Sequence, residues 1–185
     1  ITVEEVIEIG SYNHYQEITQ KERSSLVVSV MERLELMDFR HRLFPTLSGG
    51  EKKRVLLAKC LVQLQLGQKN VTSQYLLLDE PTAALDVAQQ YRFMELATAL
   101  AKERGIGVLA ILHDLNLAAR FADQIILLND SEVVAAGAVK EVLTKEMIAT
   151  VFSVESFIQP HPHFNIPLIT TYGNYNRIES SASYA

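Results

Sequence analysis

The chain has 185 residues, of which 48% are hydrophobic, so it is long enough and apolar enough to bury the core of one domain, and intrinsic disorder is excluded. Its formal net charge is −5 with scattered Lys and Arg, which argues against a nucleic-acid-binding face and predicts no nucleic-acid partner. The one cysteine, Cys60, excludes an internal disulfide framework and favours a reducing, cytosolic location.

Helical patterns dominate the first part of the chain. Residues 3–9 show helical spacing, and residues 21–37 carry apolar positions three and four apart, as in an amphipathic helix. No strand pattern occurs over 36–45, and a strongly apolar helix is predicted over 55–66. We therefore expect residues 1–66 to form an all-helical subdomain.

From residue 67 onward, strand patterns and helix patterns alternate. The predicted strands are 75–78, 107–112, 124–128 and 133–136, and the predicted helices are 87–103, 114–121, 139–143 and 145–151. Such alternation is typical of a parallel sheet with crossover helices, so residues 67–158 are predicted to belong to an α/β core. None of the apolar runs has the length of a membrane-spanning helix. Residues 159–185 are expected to be a C-terminal tail, loose over 180–185.

The first segment with possible chemistry is Leu47-Ser48-Gly49-Gly50-Glu51. Ser48 and Glu51 have the spacing of a capping box that opens a helix. Two glycines in a first turn cost about 1 kcal/mol each relative to alanine, which capping does not explain. Glycine lets another group approach helix N-terminal amides, where anions bind, and Lys52 and Lys53 would favour such an anion. Capping and phosphate binding both stay open.

The second segment is the apolar run ending in Leu78-Asp79-Glu80-Pro81. Ligands of open α/β sheets gather at the carboxyl ends of strands, where these two acids are predicted to lie. Asp79 could hold a hydrated Mg²⁺ ion, and Glu80 could orient and deprotonate a water for attack on phosphorus. The alternative is that the two acids only solvate the end of a buried strand before a proline turn.

The third and fourth segments follow the same logic. His113 comes after the run 107–112, and neighbouring parallel strands lie about 4.8 Å apart, so His113 and Glu80 are expected to face one small space. This convergence favours a functional histidine over one that merely ends a strand. In Ala84-Leu85-Asp86, the residues alone favour Asp86 as the N-cap of the next helix, with Gln89 as its partner.

Taken in this order, the four segments resemble the ATP-binding-cassette (ABC) ATPases. Residues 47–51 are similar to the family's signature motif, with Glu51 where glutamine is common. Residues 76–80 look like the Walker B strand with its catalytic glutamate, 84–86 like the D-loop, and His113 like the switch histidine. The resemblance covers residues 1–155 and implies an α/β, P-loop NTPase-like (RecA-like) core with a parallel sheet, plus an all-helical signature subdomain.

The resemblance also implies how these residues act. Two subunits would pack head to tail as a homodimer, with each ATP held between the Walker motifs of one subunit and the signature motif of the other. Ser48, Gly49 and Gly50, together with Glu51, would bind the terminal phosphate of the partner's ATP. Asp79, Glu80 and His113 would act on the subunit's own nucleotide. Asp79 would bind Mg²⁺ through water, and Glu80 and His113 would be the catalytic residues. Asp86 would lie at the dimer seam.

A membrane partner and a cargo are implied as well. In such families the helical region that includes residues 1–46 contacts a transmembrane permease, which works with a periplasmic substrate-binding protein. The location implied is peripheral, at the cytoplasmic face of the bacterial inner membrane. Residues 113–136 are similar to importers of iron chelates and cobalamin, and the polar insertion over 66–73 resembles haemin-import ATPases. Haemin is the expected cargo, with ferric siderophore or cobalamin as alternatives.

The chain departs from the family in one large respect. No Gly-x-x-x-x-Gly-Lys-[Ser/Thr] phosphate loop occurs, and the glutamine loop and adenine-stacking aromatic are also absent. We expect that an N-terminal stretch is missing and that the sheet is incomplete, with unpaired edges. The hypothesis is that the 185-residue polypeptide has no ATPase activity by itself.

Three other interpretations stay open. A non-catalytic ABC-like module that only dimerises is opposed by the presence of both Glu80 and His113. A DNA-repair or ribosome-associated ABC protein is opposed by the absence of long coiled coils, paired cassettes and basic surfaces. Direct metal or haem binding by His161 and His163 is weak, because no further ligands stand at suitable spacing.

Overall fold

The computed structural model describes residues 1–14, 16–67 and 73–173. The chain divides into two compact units, Ile1–Ile111 and Leu112–Ala185. The boundary predicted between residues 66 and 67 falls inside the first unit. Side-chain hydrogen bonds tie the two sides of that boundary together, for example from Gln74 Nε2 to the Leu64 carbonyl at 2.6 Å.

The first unit begins with the expected helices, α1 (Val3–Glu8), α2 (Gln20–Arg33) and α3 (Gly49–Gly67). Capping boxes at Thr2 and Thr19 open α1 and α2, because each threonine is followed three residues later by a glutamate that closes the box. The three helices pack on one another. Their fully buried apolar residues include Val3, Ile7, Val27, Val30, Met31, Val55, Ala58, Leu61 and Val62.

A short 3-10 segment, Ile9–His14, continues α1 and lies directly against α3. At Gly10 the two backbones approach so closely that an added Cβ atom would lie 2.2 Å from the carbonyl oxygen of Lys59. Only glycine fits at this contact, so Gly10 does more than end a helix. It sets the distance between the entry segment and α3.

The unit ends with the predicted strand-helix-strand arrangement, β1 (Tyr75–Leu78), α4 (Val87–Arg104) and β2 (Gly107–Ala110). The two strands pair in parallel, from Tyr75 opposite Gly107 to Leu78 opposite Ala110. The Ile111 amide then donates to the Leu78 carbonyl at 2.9 Å. The prediction that these strands are parallel neighbours is confirmed, and their carboxyl ends lie at one edge.

In the described part of the second unit, residues 112–173, there are three helices and four strands. In chain order they are α5 (Leu115–Phe121), β3 (Gln124–Asn129), β4 (Glu132–Ala138), α6 (Val139–Val142), α7 (Lys145–Phe152), β5 (Glu155–Pro160) and β6 (Pro167–Tyr172). Alternate residues of β3, Ile125 and Leu127, are buried with Ile148 of α7 and Ile169 of β6. This core holds the unit together.

The pairing of β3 differs from the prediction. The alternating pattern favoured a third parallel strand, but in the described residues β3 pairs antiparallel with β4. Asp130 and Ser131 connect them with φ angles of 47° and 67°. Two successive left-handed residues make the tight turn whose twist suits a hairpin, and Asp and Ser tolerate this conformation less readily than Gly. The sequence lacks the usual Asn-Gly or Asp-Gly signal.

The predicted tail also differs in its first part. Residues 155–160 and 167–172 form an antiparallel hairpin, with Pro160 opposite Pro167. The side chain of Asn116 holds β6 in place, since it donates to the Ile169 carbonyl at 2.9 Å and accepts from the Ile169 amide at 2.8 Å. The loose end predicted over 180–185, and part of the polar insertion over 66–73, lie outside the described residues.

Each helix in the described part of the chain is too short or too polar to cross a bilayer.

Candidate functional site

The signature helix, our name for α3 (Gly49–Gly67), is opened by the predicted capping box. The Ser48 amide donates to Glu51 Oε2 at 2.7 Å, and the Glu51 amide donates to Ser48 Oγ at 3.3 Å. The bond from the Ser48 amide lowers the pKa of Glu51 below its ordinary value. Glu51 is therefore an ionised cap that stabilises the helix N-terminus, where negative charge is favourable.

The two glycines of the first turn have different surroundings. An added Cβ atom at Gly50 would lie 2.3 Å from Oε1 of Gln89 and 3.4 Å from Leu85, so the flexible Gln89 side chain packs on this glycine and would have to move to admit a methyl group. At Gly49 the nearest atom, among the described residues, would be the Ala84 carbonyl oxygen at 4.0 Å. The backbone at Gly49 therefore keeps an open approach, which suits a ligand.

The ammonium group of Lys53 contacts the chain. Its Nζ donates to the carbonyls of Glu80 at 2.8 Å and Ala83 at 2.6 Å. Loss of hydration lowers the pKa of Lys53, while the charge of Glu80 opposes that shift. Two of the Lys53 donors are thus directed at backbone carbonyls, and the expectation that its charge favours a bound anion stays a prediction. The same holds for Lys52.

The catalytic turn, our name for residues 79–86, joins β1 to α4 and is strained. Glu80 and Ala84 have φ angles of 43° and 58°, a left-handed conformation that costs a non-glycine residue on the order of 1–3 kcal/mol. Within the turn, the Ala83 amide donates to the Glu80 carbonyl at 3.2 Å, and the Leu85 amide to the Thr82 carbonyl at 3.3 Å. Such strain persists only where neighbouring contacts hold the backbone.

The predicted acids lie where the sequence placed them. Asp79 and Glu80 follow the last residue of β1 and are both exposed at the carboxyl end of the parallel pair. Asp86 is the N-cap of α4, and its Oδ1 accepts from the Gln89 amide at 2.8 Å. The capping interpretation of Asp86 is thus confirmed. An exposed carboxylate beside a strand end suits a hydrated Mg²⁺ ion, which keeps most of its water ligands.

His113 belongs to the second compact unit and is exposed. The next residue, Asp114, caps α5 by accepting from the Asn116 amide at 2.8 Å and the Leu117 amide at 2.9 Å. Glu80 belongs to the first unit, so the expected approach of His113 and Glu80 stays a prediction.

The histidines near the chain end form a local turn. The His163 amide donates to His161 Nδ1 at 3.1 Å, and the His161 ring lies 4.9 Å from that of Phe164. Across the described part of the chain, no three His, Cys, Asp or Glu side chains cluster as metal ligands would. Nothing in this turn adds weight to direct haem or metal binding.

Two site residues were missed by the sequence analysis in their observed roles, Lys53 as a donor to the catalytic turn and Gln89 as the neighbour of Gly50. A helical signal for the first exists, because Gly50 and Lys53 are three residues apart on α3 and so share a face. A glycine and a lysine on one face of a helix are consistent with another element packed closely against that face. The identity of that neighbour depends on the tertiary structure.

Comparison with known proteins agrees with this geometry. Residues 2–83 match the sequence profile of the family described as "ABC transporter". The chain belongs to the ATPase domains of ABC transporters, whose core is the P-loop NTPase fold. It is similar to the hemin import ATP-binding protein HmuV of Shewanella denitrificans, at 44% identity over 155 residues, or 84% of this chain and 59% of that protein. HmuV of Deinococcus radiodurans is 41% identical over 169 residues, 90% of this chain and 62% of the relative.

Solved structures share the fold. An inward-facing ABC transporter described as of metal-chelate type superposes with a TM-score of 0.81 at 23% identity, over 95% of this chain and 69% of that chain. A dimeric bacterial ABC transporter cassette gives a TM-score of 0.63 at 29% identity, over 75% of this chain and 57% of the other. The chain spans less than two thirds of the length of the curated relatives it matches.

Proposed function

We propose that the protein containing this chain is the ATP-binding and ATP-hydrolysing subunit of an ABC importer. One observation carries the proposal: a glycine-opened helix and the acidic end of a parallel strand pair are joined in one compact unit through Lys53 and Gln89. A capping helix alone would need neither glycine, and a solvated strand end would need no strained turn. The family membership supports the same conclusion.

The signature helix acts on the nucleotide of a partner subunit. Ser48, Gly49 and Gly50 would bind the terminal phosphate of that ATP through first-turn amides and the positive end of the helix dipole. The open approach at Gly49 supports this role. Glu51 keeps the helix start in place through its capping bond, and so positions the amides.

The catalytic turn acts on the subunit's own nucleotide. Bound MgATP supplies the phosphoryl group and the cation charge that neutralises it. Asp79 would hold the Mg²⁺ ion through water, and Glu80 would orient a water and accept its proton. His113 would contact a phosphate oxygen or relay a proton.

The assembly follows the proposed roles. We expect a head-to-tail homodimer with Asp86 at its seam, where the D-loop turn links the two nucleotide sites. Residues 1–46 of the helical subdomain 1–66 would contact a transmembrane permease, which works with a periplasmic substrate-binding protein. Residues 67–158 would supply the ATPase core, and 159–185 a C-terminal appendage. The subunit would lie at the cytoplasmic face of the bacterial inner membrane.

Hydrolysis is tested on the product of the complete reading frame that encodes this chain. Glu80→Gln should lower kcat by at least about a hundredfold while ATP still binds, because loss of a general base typically costs about 10²–10⁴-fold. Glu95→Gln, an exposed change on α4, is the matched control and should keep the wild-type rate. Equal rates for wild type and Glu80→Gln would overturn the proposal. We further propose that the 185-residue chain assayed alone shows no turnover.

The cargo is proposed to be haemin, because the similar curated proteins are hemin import ATP-binding proteins. A strain lacking the gene should lose growth on haemin as the iron source and regain it when the gene is restored. Growth defects on ferric siderophore or without cobalamin, with haemin use intact, would favour the alternative cargoes instead.

A further inference from the structure

Two contacts join the signature helix to the catalytic turn within one compact unit. The Lys53 ammonium bridges the carbonyls of Glu80 and Ala83, at 2.8 Å and 2.6 Å. One helical turn before it, Gly50 admits the side chain of Gln89, which belongs to the first turn of α4. The helix and the turn are thus packed together along one face of α3.

Among the described hydrogen bonds to the carbonyls of residues 80–83, the two from Lys53 are the shortest. The turn's own backbone bonds are 3.2 Å and 3.3 Å long, and Gln90 Nε2 reaches the Thr82 carbonyl at 3.3 Å. Hydrogen bonds from an ionised donor are shorter and roughly twice as strong as those between neutral groups. The left-handed backbone at Glu80 thus accepts a hydrogen bond from a cation of another element.

We propose that Lys53 is a positioning residue, which fixes the backbone of Glu80 to the signature helix and so couples the two half-sites of one subunit. The inference rests on the proposed ATPase function. Ser48 and Gly49 would contact the partner's nucleotide, whereas Glu80 acts on the subunit's own. A rigid link between the signature helix and Glu80 therefore lets binding of the partner's nucleotide orient the Glu80 carboxylate at the subunit's own site. Lys53 touches neither nucleotide in this arrangement.

The kinetic test compares Lys53→Met, Lys53→Arg and Lys59→Met in the product of the complete reading frame. Lys53→Met should lower kcat by about tenfold to a hundredfold with KM within about twofold, since a small misplacement of a catalytic group has effects of this size. Lys53→Arg keeps several donors and should restore most of kcat. Lys59→Met removes the same charge from the same helix and should match wild type. Equal kcat for Lys53→Met and wild type would overturn the proposal.

Hydrogen exchange gives a readout that needs no activity. In the nucleotide-free protein, the amides of Ala83 and Leu85 should exchange about tenfold faster in Lys53→Met than in Lys59→Met, because the turn loses two charge-assisted bonds. Unchanged exchange would overturn the proposal. Should Lys53→Met fail to fold, Lys53→Leu, which also removes every donor, takes its place with the same expected direction. If the wild type does not hydrolyse ATP, the proposed function fails, while exchange at these two amides still decides whether Lys53 holds the turn.

Discussion

Glu51 and Lys53 stand two residues apart on the signature helix, and their surroundings lower both pKa values for different reasons. The pKa of Glu51 falls because the Ser48 amide donates to its carboxylate, which favours the charged form. The pKa of Lys53 falls because burial removes water from its ammonium, which disfavours the charged form. At the residue scale, therefore, one charge is stabilised locally, whereas the other is held by carbonyls distant in sequence.

The Glu51 cap predicts a pH dependence of stability. Its folded pKa lies below the ordinary 4.5, so its contribution is fully present above that value and is lost as the pH falls through the folded pKa. Free energies of unfolding for wild type and Glu51→Gln, measured by urea titration between about pH 3 and 7, should differ by a constant amount at the upper end and converge at the lower end.

Ser48→Ala is the matched control, because it removes the hydroxyl but keeps the amide that donates to Glu51. In the Ser48→Ala background, the free energies of unfolding with Glu51 and with Gln at position 51 should still converge at low pH. A carboxyl titration of Glu51 by NMR with a midpoint at or above 4.5 would contradict the prediction.

At the element scale, the packing of the first unit depends on a close contact between two backbones. The packing of the second unit depends on a side-chain amide that takes the place of a backbone peptide group. Gly10 lets the 3-10 segment Ile9–His14 lie on α3. In the second unit, the Asn116 amide pairs with both backbone groups of Ile169, much as a neighbouring strand would. Each contact joins elements far apart in sequence through groups that cannot easily be replaced.

Gly10→Ala should destabilise the chain, because the added methyl meets a backbone carbonyl 2.2 Å away rather than a movable side chain. We expect a loss of about 1–3 kcal/mol in the free energy of unfolding, the usual cost of overpacking. The control is Gly67→Ala, where the nearest side-chain atom would be 3.6 Å away. If the two variants unfold at the same urea concentration, the close contact has no energetic weight.

Asn116→Ala should loosen β6, because the buried Ile169 would lose both partners of its backbone. The expected cost is about 1–3 kcal/mol, the range for leaving buried polar groups unsatisfied, with faster hydrogen exchange at the Ile169 amide. Asn165→Ala removes one exposed hydrogen bond to Lys140 and should change stability little. Protection of Ile169 equal in the two variants would argue against this role of Asn116.

At the scale of the whole molecule, the strand pair of the first unit leaves an apolar face exposed. Leu76 is buried, whereas Leu77 is 71% exposed and its register partner Leu109 is 56% exposed. Tyr75 and Ile111 extend the same exposure along the strands. Contiguous apolar surface of this kind promotes association.

We therefore expect the isolated chain to self-associate as its concentration rises, as measured by light scattering after size exclusion. Leu77→Lys combined with Leu109→Glu places opposite charges across the strand pair and should keep the chain monomeric to a higher concentration. Leu56→Lys, an exposed change on α3, is the control for added charge and should behave as wild type. Equal association of the double variant and wild type would show that this face is not responsible.

Much of the fold and site followed from the sequence alone, because the signals concerned are local. Apolar spacing gave the limits of α2 and α4 within a few residues, and cap residues such as Ser48 and Asp86 marked helix starts through bonds that span three positions. The strand-helix-strand unit ending in Asp79 and Glu80 followed from the alternation of patterns. The order of the motifs was sufficient to predict the family.

The tertiary structure decided the features that depend on partners distant in sequence. No local sequence pattern predicts that Lys53 contacts carbonyls 27 and 30 residues away. Likewise, none predicts that Asn116 contacts Ile169, which is 53 residues further along the chain. The antiparallel pairing of β3 and the hairpin that extends into the predicted tail also depend on contacts between strands. Local residue propensities do not include those contacts. Sequence determined which residues are proposed to bear the chemistry, whereas packing determined which groups hold them in position.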